Sequence, residues 1–142
     1  MDINDYKMYI SEDTMMGPNS VRILAELFDS QPLSFAADDR ILDLGCGTGL
    51  TSLVIAKETG AKVYASDLWV SAQENGERFA KWGIGEQVMP LCEDANNLHF
   101  EKGQFKALFS IDAYHYFAGR GGFFQEKMLP FMKDGGVLLI GI

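Results

Sequence analysis

Three glycines alternate with single residues at positions 45, 47 and 49, within the stretch ILDLGCGTGLTS of residues 41–52. Branched apolar residues lead into them, and LVIAKETG, with the composition of a helix, follows. Glycine at such a junction permits positive φ and removes the Cβ, so a ligand can approach the backbone closely. A helix that starts at the loop aims its free N–H groups and partial positive charge at the same point. Gly45, Gly47 and Gly49 are therefore expected to mark a nucleotide-like ligand; a tight turn that binds nothing is the alternative reading of the glycines alone. A GxxxxGK[S/T] phosphate loop is excluded, because the required Lys is missing. The dinucleotide fingerprint GxGxxG would need glycine where Leu50 stands. Asp43 lies two residues before the first glycine. An acid there is awkward beside a pyrophosphate and suits a cationic ligand.

Such a loop has to be held between a strand and a helix, and the surrounding pattern supplies both. Residues 40–44, 62–66, 87–92, 107–111 and 137–140 read as strands. Residues 49–59, closed by Gly60, and 70–82, closed by Gly83, read as helices. Residues 122–132 read as mostly helix with Pro130 in its last turn, and 133–136 as a turn. Strands alternating with helices of this length imply βαβ units, an α/β fold and a doubly wound, Rossmann-like parallel sheet. Upstream, Gly17-Pro18-Asn19-Ser20 is expected to open a helix with the apolar stripe Val21, Leu24, Leu27 and Phe28. Residues 1–16 read as a separate short helix or flap, and residues 17–142 as the domain proper. GVLLIGI at residues 136–142 is apolar on both faces, as a buried parallel strand should be. A partner covering that edge, giving self-association, or a longer chain is therefore expected, and the second is preferred.

The chain has 142 residues, 47% of them hydrophobic, which suits one domain with a proper core. It carries 12 basic against 20 acidic residues, a net charge of −8. That balance argues against a nucleic-acid backbone as partner. No long apolar run, signal-type N-terminus or lipidation motif points to a membrane. Cys46 and Cys92 lack CxxC or His companions, so no metal site is expected; two reduced thiols in a cytoplasmic protein is the plain reading.

ILDLGCGTG resembles motif I of the class I S-adenosylmethionine-dependent methyltransferases. Four further stretches resemble that family in order and spacing. KVYASDLW (62–69) places Asp67 18 residues after Gly49. LCEDANNLHF (91–100), FSIDAYHYF (109–117) and LPFMKDGGVLLI (129–140) follow. Asp134 stands where the family's last turn commonly has Pro. The resemblance covers residues 17–142 and is greatest to small-molecule methyltransferases. It implies S-adenosylmethionine as cofactor and a small-molecule acceptor. It also implies strand order 3-2-1-4-5, with the 7-6 hairpin of the family's seven-stranded sheet absent. Asp67 would then accept from both ribose hydroxyls. Leu68 and Trp69 would flank the adenine, and Asp94 beside Ala95 would accept from its amine. Cys46 and the three glycines would lie along the donor, and Asp43 near it directly or through water.

Asp112 either faces the donor's ammonium or caps the segment after it. His115, just past the fourth strand, is the candidate catalytic base, with an unperturbed pKa of ~6.5; a structural His at the rim is the alternative. Tyr114 and Tyr116 are expected on the acceptor side, and Phe117 in the core. Tyr6, Tyr9, Met15 and Met16 form the candidate flap. His99 has no assigned role. The rival readings are a noncatalytic ligand- or partner-binding module and a nicotinamide-dependent oxidoreductase.

Overall fold

The computed structural model describes residues 1–16, 19–119 and 121–141. The expected helix opening at Gly17-Pro18 lies outside them. Helix α1 occupies Ser20–Ser30, and the Asn19 side chain caps it by accepting from the Arg22 N–H. Strand β1 (Arg40–Leu44) runs into helix α2 (Leu50–Thr59), which starts after Gly49 at φ +87° and stops at Gly60 at φ +71°. The Gly60 N–H donates to the Ala56 carbonyl, closing that helix where a left-handed residue is needed. Strand β2 is Lys62–Ser66. Helix α3 is Ala72–Lys81, shorter than the 70–82 expected, because Ser71 caps it and accepts from the Glu74 N–H. Strands β3 (Val88–Leu91) and β4 (Phe105–Ile111) follow, then the single turn α4 (Tyr114–Phe117) and strand β5 (Met132–Gly141).

All five strands are parallel, in the order β3-β2-β1-β4-β5. This is the doubly wound order expected from the sequence. Period-two alternation sends β1 to both faces. Ile41 joins Val63, Phe109, Leu24, Leu53 and Phe79 in one core, against α1–α3. Leu42 and Leu44 join Phe105, Leu108 and Met128 in the other. The register Leu44↔Ser66 and Asp43↔Phe109 brings the carboxyl ends of β1, β2 and β4 to one edge, where the glycine loop emerges.

Three expectations change. Residues 122–132 are not an α-helix: Phe124–Met128 is a π-type turn and Leu129–Phe131 a 3-10 turn. Pro130 has no N–H to donate and its ring blocks α-helical bonding across this stretch. Residues 133–136 lie within β5, as a bulge between the pairs Phe105↔Met132 and Ala107↔Val137, with Gly135 at φ +74°. The segment Ile3–Tyr9 is a short helix, as one of the two expectations had it, of 3-10 type; of the candidate flap residues Met16 lines the cavity and the two tyrosines do not. Tyr6 is buried in the core, where its hydroxyl donates to Glu58 at 2.6 Å, and Tyr9 packs edge-on against Trp82.

Candidate active site

A cavity of about 410 Å³ opens at the carboxyl ends of β1, β2 and β4. The volume falls in the range of small-molecule sites. Its floor is the glycine loop. The N–H groups of Gly45 and Cys46 both donate to the Ser66 carbonyl, at 2.8 and 3.0 Å, which pins the loop to β2. From the other side, fully buried Asn75 of α3 donates through Nδ2 to the Gly47 carbonyl at 2.9 Å. Arg78 donates to the Thr48 carbonyl at 3.0 Å and to Asn75 Oδ1. Thr48 in turn donates to the Thr14 carbonyl, bringing the N-terminal segment to the mouth.

The three glycines serve different ends. A Cβ on Gly49 would stand 2.2 Å from Phe79, and one on Gly45 2.5 Å from Ala113 Cβ. Both glycines are required by packing and by positive φ. Gly49 does not line the cavity, contrary to the expectation that it lies along the donor: Phe79 occupies its open side. Gly45, Cys46 and Gly47 do line it.

Asp67 lines the cavity. Its Oδ2 accepts from the Gly47 N–H at 2.8 Å, and its Oδ1 from the N–H groups of Trp69 and Val70 at 2.8 and 3.0 Å. These bonds occupy three of the carboxylate's roughly four acceptor sites. Two of them fall on Oδ1 and one on Oδ2, so the free acceptor capacity facing a ligand lies mainly on Oδ2. Leu68, Asp94, Ala95 and Asp112 are also in the lining. Asp94 Oδ1 accepts from the Asn96 N–H at 2.9 Å, which shapes the loop after β3. Asp112 holds φ +52° and donates its N–H to the Gly141 carbonyl at 2.7 Å. Helix α4 begins at Tyr114, with Ala113 as its N-cap and no side-chain cap bond, so capping is not what Asp112 does there.

Two assigned residues stand elsewhere. Asp43 is fully buried beneath the loop and absent from the lining. Its Oδ2 accepts from the hydroxyls of Thr51 and Ser52 at 2.6 and 2.7 Å, while Oδ1 has no partner among the described residues. Burial is the main reason its pKa is pushed up to about 6, and the neighbouring Asp67 charge adds to it. Burial also raises the Cys46 thiol, with Asp43 and Asp67 contributing. His115 is exposed, lies against Tyr116 at 4.2 Å between ring centroids, and does not line the cavity. Phe117, expected in the core, lines the cavity while packing against Phe123. Thr14, Ser20 and Asn96 line it too, and neither they nor the Asn75 prop carry a local sequence signal for that role. Only folding brings them to the loop.

The charge of the lining decides what it accepts. Asp67, Glu93, Asp94 and Asp112 line it, and among the described residues no Lys, Arg or His does. Such a site repels a pyrophosphate and so disfavours a nicotinamide dinucleotide. No metal-binding cluster of His, Cys, Asp or Glu occurs among the described residues.

Residues 41–136, from the start of this loop into β5, match the methyltransferase domain family. The chain belongs to that family. The methyltransferase domain is 30% identical over 105 residues to sterol 24-C-methyltransferase of Eremothecium gossypii, covering 72% of this chain and 27% of that protein. The structure of phosphoethanolamine N-methyltransferase 2 of Haemonchus contortus, solved in complex with S-adenosylmethionine, superposes with TM-score 0.74 at 27% identity. The match covers 97% of this chain and 31% of that one. Geranyl diphosphate C-methyltransferase of Streptomyces coelicolor shares the fold, with TM-score 0.70 at 21% identity over 81% of this chain and 41% of its own. The methyltransferase domain described here thus spans well under half the length of each of these proteins.

Proposed function

We propose that the chain binds S-adenosylmethionine in this cavity and transfers its methyl group to a small-molecule acceptor. One observation carries the reading: among the described residues the lining holds four acids and no Lys, Arg or His, on a glycine loop backed by a helix N-terminus. That donor set fits a ligand bearing a sulfonium and an ammonium. In this reading Asp67, Asp94 and Ala95 hold the nucleoside end, Gly47 lies along the ligand, and Asp112 faces the amino-acid end. Bound there, S-adenosylmethionine supplies a methyl group already activated by its positive sulfur. The protein's part is alignment, worth up to ~7–11 kcal/mol when the reactants are held in line. In this reading residues 17–142 are the donor-binding domain, and residues 1–16 contribute Thr14 and Met16 at the cavity mouth. A cytoplasmic setting belongs to the same reading, supported by two unpaired thiols.

A second reading, a binding module without turnover, is favoured by the position of His115 outside the lining. If His115 has no part in donor binding, His115→Ala leaves the affinity for S-adenosylhomocysteine within roughly twofold of wild type. Loss of binding in that variant would return the histidine to the site.

Calorimetric titration with S-adenosylhomocysteine, beside Asp67→Ala, tests the main reading. Binding that the variant loses supports a donor site on the loop and β2. A folded chain that gives no heat with this ligand overturns it.

A further inference from the structure

Eight large hydrophobic side chains are exposed among the described residues, and four of them line this one cavity: Met16 (59%), Leu68 (50%), Trp69 (75%) and Tyr116 (63%). None belongs to either core cluster. Trp69 follows β2 and Tyr116 sits in α4, yet their rings meet edge to face at 5.8 Å and 82° across the mouth. Exposed apolar surface gathered at a cavity rim marks a binding surface rather than a packing need. The cavity below has room for about one nucleoside-sized ligand, so a second reactant approaches over this rim.

Charge selects the kind of molecule. Asp67 is already bonded to three backbone N–H groups. Among the described residues the Glu93 carboxylate accepts one long bond, from the His99 backbone N–H at 3.4 Å. S-adenosylmethionine carries one net positive charge, so its binding leaves the four lining acids in excess. An anionic acceptor meets repulsion there, and a cationic one is attracted to both the carboxylates and the aromatic faces.

Resting on the donor reading above, we propose that this rim docks the methyl acceptor and that the acceptor is an amine carried on an apolar or aromatic body. The amine docks as its ammonium and gives its proton to water at the open rim; the freed lone pair then forms the N–C bond as the donor's S–C bond breaks, leaving S-adenosylhomocysteine and the methylated amine. Trp69 here serves the acceptor rather than the adenine: the body lies on the rings of Trp69 and Tyr116, and the amine end points to the acidic lining. An apolar anion and an uncharged apolar alcohol are the competing occupants.

Three probes share one body and differ only in charge: 3-phenylpropylamine, 3-phenylpropan-1-ol and 3-phenylpropionate. Each is titrated calorimetrically at neutral pH into the protein, first unloaded and then at saturating S-adenosylhomocysteine. The amine is expected to bind roughly tenfold more tightly than the propionate, with the alcohol between them. Tyr116→Ala should weaken amine binding about fivefold, and Tyr116→Phe, which keeps the ring, should restore it. Equal affinity for the three probes, tighter binding of the propionate or the alcohol, or an unchanged Tyr116→Ala overturns the inference. Failure of S-adenosylhomocysteine to bind would instead overturn the donor reading, and the ranking on unloaded protein would still report on the rim.

Discussion

Asp43 was legible as an acid at the glycine loop, but its job was not. It accepts two hydroxyl hydrogen bonds on one oxygen, has none on the other, and is held in full burial under the loop. Its folded pKa of about 6 lies above the ordinary 3.8, chiefly through burial. The folded state therefore holds this proton more tightly than the unfolded chain. The stability it contributes is present at acid pH and is lost as pH rises through about 6, on the order of 3 kcal/mol in all. Asp43→Asn should remove that slope, so the difference in urea unfolding free energy between wild type and variant changes by about this amount from pH 4 to pH 7. A constant difference would show that Asp43 stays ionised throughout. Gly49 teaches a similar lesson. Its place in the triplet suggested a ligand, whereas Phe79, 30 positions along the chain, is what forbids a side chain. Gly49→Ala should cost about 2–4 kcal/mol from overpacking and positive φ together. Gly83→Ala, with positive φ and open space, should cost only about 1–2 kcal/mol. Thermal melts of the pair decide it: equal losses would assign the whole effect to the backbone.

Among the elements, the five strands and the first three helices could be read from apolar runs and glycine stops, because each is defined by neighbours in sequence. What could not be read is which side chain of one element holds another. Helix α3 shows a clear amphipathic pattern, yet nothing local reveals that Asn75 turns inward to the Gly47 carbonyl and is braced by Arg78. Similarly, the segment before β5 has helical composition yet forms π and 3-10 turns, with Pro130, which has no N–H for an α-helical bond, in the second of them. The Asn75 prop makes a prediction at this scale. Asn75→Ala leaves a loop carbonyl unpaired, which should lower stability by about 1–3 kcal/mol. Because the loop is the cavity floor, affinity for S-adenosylhomocysteine should fall roughly tenfold as well. A variant that loses stability but keeps its affinity would show that the loop holds its shape without α3.

For the molecule as a whole, β5 is an edge strand among the described residues, and its two halves differ. Lys133, Asp134 and the Gly135 bulge blunt the first half against pairing. The second half, from Val137 on, has no charge, and exposed Leu138 shares a shallow surface cleft with exposed Leu129. An unbroken apolar edge of this kind templates strand pairing, and two copies meeting there would form a symmetric contact. Opposing it is the net charge of −8, since two such chains repel at low salt. Repulsion between exposed charges is screened beyond ~8–10 Å at physiological ionic strength, whereas burial of leucine side chains is not weakened by salt. Light scattering should therefore find the chain monomeric at low ionic strength and associating with concentration as salt is raised. Leu138→Lys should suppress that association by placing charge on the edge. Association that weakens with salt, or that survives the lysine, would assign the contact to another surface and leave β5 without a role in it.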